Sequence, residues 1–368
     1  MSETATLSRL PDLISLAEEG SSEKRRALLR ELTDHFFGSP QRTETETALY
    51  DTVLDRLAAD METAVRAELS ARFSTAPDAP HTLIRRLAND EAAVAGAVLA
   101  ASPVLTDDDL LGVVRRHGQD HLRAVSARPT VSEAVSDVIV ERGDDETLGT
   151  LLRNDGARLS RKASEAAVER AKSNPALHEA TVSRATLPPD LLNDMYFVVE
   201  ARLRTRILEQ NARLDPGLLE SALAAGRARV ATDDGALPAD YSECLAYVEE
   251  LKAAGQLSPQ MLARFLRSGA KGGGRTSFLI ALAQLADIDF HTARQIVERR
   301  ELDALAVVCK AADLDRALFL TYAVVLLNDD GDAMAKAHSY ARMYADLSKE
   351  AALRTLRFWR MRRGAVAA

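Results

Sequence analysis

Only two cysteines, Cys244 and Cys309, occur in the 368 residues. Two thiols make no disulfide framework and suit a reducing compartment. Aromatics amount to 5% of the chain. The core must therefore come from closely packed Leu, Ala and Val rather than from large rings. No run of about 18 apolar residues exists, which excludes a membrane-spanning helix. No stretch alternates as a half-buried strand must; Phe278-Leu279-Ile280-Ala281-Leu282 starts like one, but Ala283, Leu285 and Ala286 continue it at helical spacing. The first residues hold neither a basic n-region nor an apolar h-region, so no secretory signal is expected and the expected location is cytoplasmic. A formal charge of −8 argues weakly against wholesale nucleic-acid binding.

What is present is a recurring pair: an apolar residue followed at once by a helix-starting one. Leu105-Thr106, Val131-Ser132, Leu159-Ser160, Leu187-Pro188 and Leu214-Asp215 follow one another at intervals of 26, 28, 28 and 27 positions. Thr, Ser or Asp at the N-cap accepts an orphan backbone N–H. Pro216 adds proline at N1, where the missing donor costs nothing. Leu110, Leu192 and Leu219 sit at N4, placed to close a hydrophobic staple on the preceding anchor. A period near 27 accommodates two short helices and two tight turns, and neither helix can bury its stripe alone, so units must stack. The expected fold is all-α: a right-handed α-solenoid of short helix pairs.

Along the chain, residues 1–80 predict an N-terminal helical hairpin, including a long helix over about 43–73. Its stripe of Leu49, Val53, Leu57, Met61, Val65 and Leu69 fits either packing on the repeats or a homodimer seam. Residues 81–232 form the repeat array and Asp233–Asp240 a linker. Less regular helical repeats occupy 241–350, entered at Leu257-Ser258, Ile288-Asp289 and Leu314-Asp315. Residues 351–368 read as a basic tail with Arg354, Arg357, Arg360, Arg362 and Arg363. Such a tail suits a lipid surface, nucleic acid or an acidic partner; alternatively Leu356 and Trp359 cap the last repeat, as terminal repeats require.

Candidate sites are few. Gly269–Thr276 mimics a phosphate loop, but a helix precedes it where the motif needs a strand, so a glycine-rich turn is expected. His117 and His121 have the spacing of a helical metal pair without a third ligand nearby, so packing is expected and no metal or cofactor is assigned. Asp107-Asp108-Asp109 reads as first-turn carboxylates at a helix N-terminus. His35, near a helix C-terminus, is either a partly buried histidine favoured by the macrodipole or a phosphoacceptor. No nucleophile–base grouping has local support, so no catalytic residue is assigned. Arg128, Asn154, Arg184 and Asn211 precede successive anchors at intervals of 26, 30 and 27. They form either a recognition row for a protein partner or a set of groups satisfying helix-end carbonyls.

Three stretches carry a resemblance: Leu83–Asp90 with Val94, Ala95 and Leu99; His121–Arg128 with Val131-Ser132; and Leu151–Ala157. In these the chain resembles DUF2336, an alphaproteobacterial family without an assigned activity. The resemblance implies a HEAT-like helical repeat protein and places His121, Arg128 and Asn154 at the family's polar positions, as inter-repeat hydrogen-bonders first and a binding surface second. The expected function is a non-enzymatic scaffold or adaptor for a protein partner. The alternative is a signalling module whose N-terminal hairpin dimerises and takes part in histidine phosphotransfer.

Overall fold

The computed structural model describes residues 22–38, 43–59, 61–229, 237–267, 274–326 and 333–366, with side chains at all of these but 22, 24, 25, 44, 227–229, 267, 333–338 and 361–366. Among them are 22 α-helices, one 3-10 turn and no strand, and none of the helices is long and apolar enough to cross a membrane. The chain divides into two compact units, Met1–Thr186 and Leu187–Ala368.

The first unit opens with α1 (Ser22–Gly38), α2 (Glu44–Ala59) and α3 (Thr63–Phe73). Four helix pairs follow: α4 (His81–Ala88) with α5 (Ala92–Ala101), α6 (Asp107–Arg116) with α7 (Gln119–Ser126), α8 (Glu133–Arg142) with α9 (Asp145–Arg153), and α10 (Arg161–Ser173) with α11 (His178–Ser183). The members of each pair pack together. Helices α3, α5, α7, α9 and α11 form one row, each against the next, and α6, α8 and α10 a second.

The expected entry points are helix starts. Thr106 and Asp109 close a capping box on α6, with Thr106 N–H donating to Asp109 Oδ2 at 3.0 Å and Asp109 N–H to Thr106 Oγ1 at 3.2 Å. Ser160 Oγ accepts from Ala163 N–H at 3.0 Å on α10. Leu105 and Leu110 are both buried, as a staple requires. Val131 has no apolar N4 partner and is anchored differently. Its N–H donates to the Gly156 carbonyl (3.2 Å) and its carbonyl accepts from Arg158 N–H (2.9 Å), an isolated parallel bridge between consecutive turns.

One expected helix is two. The 43–73 stripe breaks between α2 and α3, where Glu62 is extended and its carbonyl accepts from the N–H groups of Val65 and Arg66. Arg66 fixes the break, donating to the Asp90 carboxylate of the next layer at 2.6 and 2.9 Å. Val53, Leu57, Met61, Val65 and Leu69 are all buried within the chain, so this stripe is not a free dimer seam. The periodicity ran through the break because nothing in Met61-Glu62-Thr63 forbids a helix.

The second unit comprises α12 (Pro189–Asp194), α13 (Ala201–Ala212), α14 (Pro216–Arg229), α15 (Tyr241–Ala253), α16 (Pro259–Arg267), α17 (Arg275–Ala286), α18 (Phe290–Glu298), α19 (Leu302–Ala311), α20 (Arg316–Leu326), α21 (Ala333–Asp346) and α22 (Lys349–Val366). Leu187, Leu214, Leu257, Ile288 and Leu314 each stand just before a helix, and the Asp289 carboxylate accepts from Thr292 N–H at 2.9 Å. The expected tail is a core element. Helix α22 packs on α12, α13, α14 and α19, burying Ala352, Thr355, Leu356, Phe358 and Trp359. That return draws α12–α14 into the second unit, so the expected boundary at 233–240 falls inside it; residues 233–236 of that linker lie outside the described residues.

Candidate functional site

The polar row faces inward. Arg128 is buried and donates to the carbonyls of Leu99 (2.7 Å) and Ser102 (2.7 Å), at the end of α5 in the previous layer. Asn154 Nδ2 donates to the carbonyls of Ser126 (2.8 Å) and Arg128 (2.7 Å), at the end of α7. Arg184, 3% exposed, donates to Leu151, Leu152, Asn154 and Ala157 carbonyls around the end of α9. The last four carbonyls of a helix lack intrahelical donors, and a guanidinium offers five N–H groups with a charge the helix C-terminus favours. Each layer therefore closes the helix below it. His121 works likewise, its Nε2 lying 2.8 Å from the Asp90 carbonyl. Asn211, in the second unit, exchanges hydrogen bonds with Asn193 (2.9 and 3.0 Å) and donates to Thr355 Oγ1 (2.7 Å). With Arg128, Arg184 and Asn211 buried and Asn154 half-buried, the row is no outward recognition ladder.

Sequence reasoning missed the matching groups on the other row. Arg142 donates to the Val114 and His117 carbonyls at the end of α6, and Arg170 to Val140 (3.3 Å) and Gly143 (2.9 Å) at the end of α8. Their separation of 28 positions was the available signal.

The remaining candidates divide. His117 and His121 stack with ring centroids 4.3 Å apart, and His117 Nε2 lies 3.1 Å from Asn89 Oδ1. Burial, His121 and Arg116 hold the His117 pKa below its ordinary value. Among the described residues no group of three His, Cys, Asp or Glu is placed to hold a metal ion. Asp109 receives His81 Nε2 at 2.8 Å besides its capping contacts, and His81 and Thr106 outweigh burial in holding its carboxyl below the ordinary range. His35 is exposed on α1, with Nδ1 hydrogen-bonded to Tyr50 Oη. Residues 269–273 of the glycine-rich loop lie outside the described residues; Arg275 opens α17. On α22, Arg354 closes the end of α13 through the carbonyls of Asn211 (3.2 Å), Ala212 (3.0 Å) and Leu214, the same device as Arg128 and Arg184. Arg357 pairs with Glu220, and Arg360 donates to the Ala286 carbonyl at 2.9 and 3.1 Å. The side chains of Arg362 and Arg363 lie outside the described set.

The second unit also holds a slot of about 890 Å³ between α13 and α21, floored by Ala306 of α19 and Ala351 of α22. Beside it lies an ionic knot in which Glu301 is buried and Arg204 and Asp303 are half-buried. Arg204 meets Asp303, a slot residue, at 2.9 and 3.1 Å and Glu301 at 3.4 Å, with its guanidinium 5.8 Å from the Tyr196 ring centroid. Glu301 Oε2 and Tyr196 Oη are buried and make no hydrogen bond. No local pattern linked residues 204 and 303, so the knot was invisible in the sequence.

Burial pushes the Glu301 carboxyl up to about 7, against the pull of Arg204. A carboxyl raised in the folded state contributes stability that is complete below its unfolded value near 4.5 and is lost as pH rises toward 7. The wild-type unfolding free energy from urea titrations should fall between about pH 4.5 and 7 by roughly 1–2 kcal/mol, discounted from about 1.4 kcal/mol per unit because solvent screens part of the pair. Glu301→Gln should flatten that slope, and an unchanged slope would show that another group sets it.

Over residues 94–357 the chain matches the model of a family described as an uncharacterised protein conserved in bacteria (DUF2336). No curated protein and no solved structure matches it.

Proposed function

This chain belongs to the bacterial family DUF2336, and from that premise we propose that it is a non-enzymatic helical-repeat adaptor that binds a protein partner. The finer architecture belongs to this reading: a right-handed, HEAT-like stack with a period of about 27, working in the cytoplasm. The observation that carries it is the use of the buried polar groups. Arg128, Arg142, Arg170 and Arg184 all donate to the ends of helices one layer away, which supports reading the stack as a stiff support. A stiff stack holds its surface ready without an ordering cost on binding.

The test is affinity capture from bacterial cells expressing the tagged chain. A specific protein should be retained by wild type and lost from Leu208→Glu/Met343→Glu, two half-exposed slot positions, with an unchanged thermal midpoint. Equal retention by both removes the slot from this reading; absence of any retained protein removes the adaptor.

A second reading rests on His35, exposed and held through Nδ1 by Tyr50, which leaves Nε2 for a phosphoryl group. Incubation with a labelled phosphodonor should then give an acid-labile label lost in His35→Gln. No label removes it.

A further inference from the structure

The slot between α13 and α21 has the form of a place for one more helix. On α13, Thr205, Leu208, Glu209 and Ala212 face it, and on α21, Ser339, Arg342, Met343 and Asp346. Both sets run i, i+3, i+4, i+7, so each wall is one helical stripe lining the gap. Helix α13 rests on α22 and α21 on α19, which fixes the two walls from behind. A helix is about 10–12 Å across and rises about 1.5 Å per residue. At that cross-section, 890 Å³ takes an insert of about six residues, enough for apolar anchors at i and i+3 or i+4.

The charges narrow the occupant. Arg213 and Arg342 line the slot together with Glu209 and Asp346, and among the described residues none of these four exposed side chains forms an ion pair or hydrogen bond. An occupant carrying both signs would meet a complementary charge on each side of the slot. The apolar part includes half-exposed Leu208, Met343 and Leu347. Methionine adapts to different apolar partners, as helix-binding surfaces require.

We propose that this slot seats one amphipathic helix of a protein partner. Its leucine- or methionine-type anchors lie on Leu208, Ala306 and Met343, its acidic flank meets Arg213 and Arg342, and its basic flank meets Glu209 and Asp346. This rests on the adaptor reading and names the partner's chemistry.

The experiment selects binders to the full chain from a phage-displayed library of 16-residue alanine-based helices, with Leu, Met, Glu and Lys varied along one face. Enriched peptides should carry two apolar anchors at i and i+3 or i+4 with both charge signs beside them. Their affinity should fall tenfold or more in Arg342→Glu and in Met343→Glu, both with wild-type thermal midpoints, and should weaken with salt. No enrichment, or enriched peptides that bind the two variants as they bind wild type, overturns the proposal. Displacement of the peptides by decanoic acid, with no preference for mixed charge, also overturns it and makes the slot a small-amphiphile site. If cellular capture depends on the slot but no helix competes for it, the helix proposal falls and the adaptor stands. If capture fails while slot-dependent peptide binding holds, the adaptor reading falls by itself.

Discussion

Arg184→Met is expected to remove about 3–5 kcal/mol from the first unit, because the carbonyls it closes would stay buried without a donor. The guanidinium reaches Leu151, Leu152, Asn154 and Ala157, so no neighbouring side chain can replace all of its contacts. Burial holds its pKa below the ordinary arginine value, a sign that the charge is kept out of water and depends on those carbonyls. Total stabilities run to about 5–15 kcal/mol, so the loss is a large part of the margin. Arg184→Lys keeps the charge but not the planar fork and should lose roughly half as much. Urea unfolding followed by circular dichroism reads both. Reversing the charge at Arg128 and Arg184 together should unfold the unit outright, and a double variant with an intact spectrum would contradict the interlayer role.

The next largest effect is expected at Gly156. A Cβ there would lie 1.9 Å from the Pro129 carbonyl oxygen and 2.9 Å from its carbon. The Val131–Ala157 bridge pins the same two turns together, so neither can withdraw without breaking hydrogen bonds. Gly156→Ala should cost about 3 kcal/mol. The contrast is Gly112, inside α6, where an added Cβ meets nothing within 4 Å. Gly112→Ala should gain roughly 0.5–1 kcal/mol by restricting the unfolded chain. Paired melting curves test the contrast. Equal midpoints for the two variants would mean that the two turns are not held in contact.

Helix stops were harder to read than helix starts. Just past the ends of α17, α18 and α19, Asp287, Arg300 and Asp313 turn left-handed, with φ of 59°, 53° and 60°. Each is followed by an N–H that reaches back to the last turn: Ile288 to Ala283, Glu301 to Ile296, Leu314 to Cys309. Left-handed ends usually carry glycine, so aspartate and arginine gave no warning. The burial of Leu356 and Trp359 agrees with the capping alternative, but the arginines of α22 were hard to place for a related reason. Clustered arginines resemble a solvated tail until their carbonyl and carboxylate partners, more than 70 residues away, come into view.

The sequence by itself determined that this chain is helical and where the capped helices of its repeats begin, because a cap and a staple act within five residues and leave their trace in neighbouring positions. It also marked the positions of Arg128, Asn154 and Arg184, through their recurrence. The direction those side chains face, the break at Glu62, the return of α22 into the second unit, the knot of Arg204 with Glu301 and the slot were decided only by tertiary structure. Each depends on which carbonyl, charge or apolar face arrives from a distant part of the chain, and periodicity holds no record of that.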